Sequence, residues 1–205
     1  MKQSIILIMA CLINVCITKA QEGSIDNDQH GTFTDERDGQ TYKWVEIGNQ
    51  IWMAENLNFG KSNYYCYKGN IQNCETFGKL YPWKKAKKAC PTSWHLPDDT
   101  EWVVLTDFLG GESIAGGKMK EIGIMQWETP NASATNSSGF TAIPGGYRDQ
   151  TGYCFKLGTA AYFWSSSEAD LFQLWVRSIE NGISSVDRIQ VNKKNSLSIR
   201  CIKDE

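Results

Sequence analysis

The sequence predicts an α+β fold, and three observations carry that reading. Strand-like segments come first, helices stand in the middle, and short strand-like segments return to the end, an order typical of helices segregated from a mostly antiparallel sheet. The stretch Trp94-His95-Leu96-Pro97-Asp98-Asp99-Thr100-Glu101-Trp102 is the best helix entry in the chain. Pro97 stands just outside it, Asp98 is a good N-cap, and Glu101 is placed to return a capping-box bond. Trp102, Leu105, Phe108 and Leu109 then fall on one helical face until Gly110-Gly111 stops the run. Third, both ends of the domain read as β, so the first and last strands are expected to pair and bring the termini together.

The 205 residues suit one domain and a processing segment. Residues 1–20 read as a signal peptide. Lys2 is a short positive start, residues 5–17 are apolar-rich, and Thr18-Lys19-Ala20 offers small residues three and one positions before a cut that leaves Gln21 first. The apolar run is shorter than the ~20 residues a spanning helix needs, so no transmembrane segment is expected after cleavage. A lipid anchor is the rival. Ile8-Met9-Ala10 before Cys11 resembles a lipobox, whereas Val15 before Cys16 fits poorly. The expected location is secreted or cell surface. Cleavage removes Lys2 and Lys19 and shifts the formal charge from −2 to about −4. The basic run Lys84-Lys85-Ala86-Lys87-Lys88 reads as a solvated helix face, so nucleic acid is not expected as a partner.

Residues 21–31 form a polar linker containing His30, and the domain spans 32–205. A short strand at 32–35 is followed by the Asp38-Gly39 turn, an alternating strand at 41–47, the Gly48-Asn49 turn and a strand at 50–54, together a β-meander. Residues 64–74 read as an aromatic, irregular loop. A first helix is expected at 83–90, the main helix at 100–109, and a third, poorer one at 112–122, interrupted by Gly116-Gly117. Residues 129–140 are turn-rich and read as a long ordered loop. Short strands follow at 140–143, 146–148, 154–156, 162–165, 173–179, 186–191 and 197–202.

Five cysteines remain after cleavage: Cys66, Cys74, Cys90, Cys154 and Cys201. Export permits disulfides, and an odd number leaves at least one thiol over or pairs it between chains. Cys66 and Cys74 bracket a loop that a local bridge would close. A Cys90–Cys201 bridge would staple the chain's end to the main helix, leaving Cys154 spare. Zinc competes poorly: there is no Cys-x-x-Cys pair, and the chain has only two histidines. No metal or other cofactor is expected.

Several ordered segments resemble the Fibrobacter succinogenes major paralogous domain, a family of exported bacterial proteins. They are Gly48-Asn49-Gln50-Ile51-Trp52-Met53-Ala54-Glu55-Asn56-Leu57, Gly78-Lys79-Leu80-Tyr81, Trp94-His95-Leu96-Pro97 to Glu101-Trp102, Pro144-Gly145-Gly146-Tyr147-Arg148-Asp149, Phe163-Trp164-Ser165-Ser166 and Arg200-Cys201-Ile202. The resemblance runs from Thr32 to Asp204. It implies a C-type-lectin-like fold, shared with formylglycine-generating enzymes: a small twisted sheet, two main helices, paired termini and a long-loop region forming the ligand surface. It also supports the Cys90–Cys201 bridge.

Lectins of that fold hold calcium through a Glu-Pro-Asn or Gln-Pro-Asp loop and a Trp-Asn-Asp strand. Here Glu128-Thr129-Pro130-Asn131 carries an extra residue and Leu174-Trp175-Val176-Arg177 stands in place of the second motif, so the pattern is broken. Catalysis of the formylglycine-generating type is the alternative function, but Cys154 has no second thiol close in sequence. His95 reads as a structural residue bonding to backbone, and Asp98, Asp99 and Glu101 are explained by capping. The preferred function is a non-catalytic binding or adhesion module whose ligand is a glycan or protein. A structural surface component without a ligand is a further alternative. In the half that the resemblance assigns to the ligand face, the candidate contacts are Trp127, Tyr147, Tyr153 and Trp175, with Asn131, Arg148, Glu168 and Arg177 beside them, a combination suited to sugar stacking or a protein hot spot.

Overall fold

The computed structural model describes residues 29–204 apart from 61 and 63. The predicted signal peptide, the lipid-anchor cysteines Cys11 and Cys16, and most of the linker lie outside the described residues. The fold is α+β, with two sheets and four short α-helices among the described residues.

Strands β1 (His30–Thr34), β2 (Thr41–Ile47) and β3 (Gln50–Met53) form the expected antiparallel meander. Gly48 sits at φ 66° in the two-residue connection, a conformation that suits glycine. Next comes a surprise. The stretch read as irregular holds a turn of 3-10 helix at Tyr67–Gly69 and then α1 (Ile71–Phe77), capped by the Asn70 side chain accepting from Gln72 N at 3.0 Å. The Cys66–Cys74 disulfide ties that helix to the loop before it. Strand β4 (Tyr81–Pro82) leads into α2 (Trp83–Ala86), which is half the predicted length, and β5 (Trp94–His95) follows.

Helix α3 (Asp99–Phe108) starts as the sequence dictates. The Glu101 N–H donates to Asp98 Oδ1 at 2.8 Å, and the Asp98 N–H donates to Glu101 Oε2 at 2.7 Å. Asp99 is not a cap: its carboxylate instead binds Arg177 and Arg188. Trp102, Leu105 and Leu109 face the core, but Phe108 is 64% exposed and lies against Gly48. Helix α4 (Glu112–Met119) runs unbroken through Gly116-Gly117. A Cβ at Gly116 would fall 2.2 Å from the Ser185 carbonyl oxygen, and one at Gly117 would fall 2.6 Å from that of Ser133. The pair therefore serves close backbone packing rather than interrupting the helix.

The remaining strands are β6 (Gly145–Arg148), β7 (Cys154–Leu157), β8 (Ala160–Glu168), β9 (Gln173–Glu180), β10 (Asp187–Asn192), β11 (Ser196–Leu197) and β12 (Ile202–Lys203). One sheet has the order β1-β2-β3-β12-β5, and the other β10-β9-β8-β6-β11-β4, with β7 paired to β6. Both ends of the described chain thus share a sheet, but β12 pairs with β3 and β5 rather than with β1. The reason is on either side of it: the β2–β3 hairpin makes β3 the inner strand, and the Cys90–Cys201 disulfide, with Cα atoms 5.9 Å apart, draws the chain end toward the β5 side. His95 is structural, yet its partners are carboxylates, not backbone. Nδ1 lies 2.6 Å from Asp204 Oδ1, and Nε2 lies 2.7 Å from Glu101 Oε1.

Two apolar clusters fill the interior. One packs Trp52, Trp102, Phe140 and Phe163 beneath α3 and α4, with ring centroids 4.8–5.9 Å apart. The other joins Met53, Leu57, Trp83, Trp164, Val176 and Leu197.

Candidate functional site

The second sheet carries a hairpin, β6–β7, that the sequence builds locally. In β6 and β7, Tyr147 faces Phe155 and Arg148 faces Cys154 across the ladder. Asp149 closes the turn by accepting from Thr151 Oγ1 at 2.7 Å, Thr151 N at 2.9 Å and Tyr153 N at 3.0 Å. The Thr151 side chain and these backbone donors hold the Asp149 carboxyl below the ordinary carboxylate range. Gly146, at φ 63°, lets the two strands approach: a Cβ there would fall 2.3 Å from the Phe155 carbonyl oxygen.

The Cys66–Cys74 loop faces this hairpin. Backbone bonds between Tyr65 and Leu80, at 2.8 and 2.9 Å, fix the Tyr65 ring, and the Arg148 guanidinium lies 4.0 Å above that ring. The Lys68 N–H donates to the Cys154 sulfur at 3.3 Å. Lys79 Nζ sits 4.1 Å from the Tyr64 ring and donates to the Asn58 and Gly60 carbonyls; burial pulls its pKa down. Between the two elements opens a cleft of about 500 Å³, walled by Tyr64, Tyr65, Lys68, Arg148 and Cys154. Tyr153 and Phe155 are exposed on the same hairpin but do not line the cleft; Phe155 pairs with Tyr147 on the face opposite Arg148 and Cys154. Aromatic faces, a guanidinium fork and a thiol are what this surface offers. The lining contains no histidine or carboxylate to act as a base for Cys154. Among the described residues no group of three or more His, Cys, Asp or Glu side chains is arranged to hold a metal.

A family model described as the Fibrobacter succinogenes major domain matches residues 45–203. The chain belongs to this family. No curated protein and no solved structure matches it.

In this Fibrobacter succinogenes major domain, three of the residues singled out in the sequence, Tyr147, Arg148 and Tyr153, stand on the β6–β7 hairpin, but only Arg148 lines the cleft, while Tyr147 packs against Phe155 and Tyr162. The others lie elsewhere. Trp127 is buried, its Nε1–H donating to the Ala142 carbonyl at 2.9 Å. Asn131 is buried and pins the loop after α4, donating to the Glu121 and Gly123 carbonyls. Arg177 is buried and bound to Asp99 at 2.7 Å, while half-buried Trp175 lies under the Arg188 guanidinium at 3.2 Å. Glu168 pairs with Lys193 at 2.9 Å. These last three residues belong to the β8–β9 side, and β8 separates β9 from the hairpin. Tyr64, Tyr65 and Lys68 were not singled out by the sequence. The usable signal was Tyr64-Tyr65 beside Cys66, because a bridge closing that loop makes its aromatics rigid.

Proposed function

We propose that this domain is a non-catalytic binding or adhesion module, secreted or held at the cell surface, whose ligand is a glycan or a protein. The supporting observation is an exposed aromatic rim on a braced frame. Tyr65, 37% exposed, and half-buried Tyr64 wall a cleft framed by a disulfide on one side and a capped hairpin on the other, and Tyr153 stands 70% exposed on that hairpin. Rings of this size bury large area on contact, and a frame fixed before binding loses little entropy when a ligand docks. The two disulfides are compatible with an oxidising, extracellular location. Among the described residues no helix is long and apolar enough to cross a membrane.

A glycan and surface-protein screen of the purified protein, run with and without chelator, tests the reading. Any ligand found should lose about 1–2 kcal/mol of affinity in Tyr153→Ala and Tyr65→Ala, as expected for anchoring aromatics. Silence across both panels, or hits indifferent to both substitutions, would contradict it.

A further inference from the structure

The same cleft carries a charge that the fold leaves unmatched. The chain is acidic overall, with a formal charge of −2, yet Arg148 and Lys68 line the cleft and no carboxylate does. The sequence has five arginines, and four are committed. Arg37 pairs with Asp35 at 2.6 Å, Arg177 and Arg188 share Asp99 at 2.7 and 2.9 Å, and buried Arg200 is held by Asn56 and backbone carbonyls. Among the described residues, only the Arg148 guanidinium has neither a carboxylate nor a hydrogen bond. It is nonetheless held in position over Tyr65. A Cβ at Gly152 would fall 2.9 Å from its Nη2, so the turn leaves it room. The neighbouring acid, Asp149, is turned away into its own loop.

We infer that this cleft binds the carboxylate of an acidic sugar, with Arg148 as the two-pronged donor and Lys68 adding positive charge. This rests on the binding-module reading above and names the ligand class. A guanidinium matches a carboxylate with two parallel hydrogen bonds, and stacking on Tyr65 fixes its plane before the ligand arrives. The tyrosines supply flat faces with polar tips, suited to the C–H face of a sugar ring. The cleft volume of about 500 Å³ falls in the range of small-ligand sites. An acidic peptide would bring the carboxylate on a flexible stem, without a rigid face for the rings.

Titration calorimetry of the purified protein against four probes tests this: oligogalacturonate, its methyl ester, a neutral oligogalactan and poly-glutamate. Oligogalacturonate should bind, and more weakly as salt rises. Methyl esterification and Arg148→Gln should each weaken it about 10–100-fold, the worth of a hydrogen bond to a charged group. Arg148→Lys should recover only part, and Tyr65→Ala should weaken binding with the fold intact by circular dichroism. Because the Arg148 guanidinium makes no hydrogen bond within the described fold, Arg148→Gln is expected to melt like the wild type. Equal binding of acid and ester, an indifferent Arg148→Gln, or preference for poly-glutamate overturns the inference. Binding of the neutral sugar alone overturns it too, but leaves the binding module standing. No binding to any of these probes, with silence in the wider screen, removes both.

Discussion

Replacing Arg200 by methionine tests the architecture at its most connected point. The guanidinium is fully buried, and burial pulls its pKa down to about 9, so it still carries its charge at neutral pH. Its donors go to neutral acceptors. Nε donates to Asn56 Oδ1 at 2.7 Å, Nη2 to the Thr141 carbonyl at 2.7 Å, and Nη1 to the carbonyls of Met53 and Phe140. One side chain ahead of β12 thereby ties β3, the segment after it and the 140–141 loop together. Methionine keeps much of the volume over Phe140 but leaves four acceptors without their donor, three of them in buried bonds. At about 1–3 kcal/mol for each of those three, the gross cost is about 3–9 kcal/mol. Relief of the buried charge returns several kcal/mol of that.

The net expectation is a loss of about 3–5 kcal/mol, a large share of the ~5–15 kcal/mol that holds a typical domain together. For a domain of this size that lowers Tm by on the order of 10 °C. Urea unfolding measures it: the midpoint should fall while the slope stays constant. Arg200→Lys should lie between the two, because an ammonium has three donors for four acceptors. A loss below about 1 kcal/mol in Arg200→Met would refute the reasoning, since the acceptors would then be finding other donors.

Two pH-dependent effects follow from the start of α3. Burial lowers the His95 pKa, but hydrogen bonds to Asp204 and Glu101 outweigh it and raise the net value above the ordinary 6.5. This clip should stabilise the fold fully below pH 6.5 and lose its effect as pH rises through the raised value; Tm measured across that window should fall in wild type and not in His95→Gln. Burial raises the Asp99 pKa, but Arg188 and Arg177 together hold it below the ordinary 3.8. Its contribution is present above pH 3.8 and lost as pH falls through the depressed value. Asp99→Asn should cost about 3–5 kcal/mol in urea unfolding at neutral pH, because it leaves buried Arg177 without its anion.

What the sequence disclosed and what it hid divide along one physical line. Helix α3 was legible because its start is set by Pro97, Asp98 and Glu101, all within one turn of each other. The two disulfides were legible because the placement of their cysteines, supported for Cys90–Cys201 by the family resemblance, already suggested the pairs. Helix α1 was not, because Asn73, Thr76 and Phe77 are indifferent helix formers and the bridge at Cys74 does part of the holding. Gly116-Gly117 reads locally as a break, and only the backbones of Ser133 and Ser185 pressing against it reveal a contact. The candidate site splits the same way. Tyr147, Arg148 and Tyr153 share one hairpin and were found together, whereas Tyr65 reaches them through a backbone bridge to Leu80 that no local pattern announces. Trp127 and Tyr153 look alike as aromatics in a loop-rich half, yet one donates its N–H to a buried carbonyl and the other stands in solvent. Being aromatic states how much surface a side chain can bury, not on which occasion, folding or binding, it does so. The unmatched guanidinium of Arg148 is the extreme case. A missing partner is a property of every carboxylate in the fold at once, so it becomes visible only when Asp35, Asp99 and Asp149 have each been placed against something else.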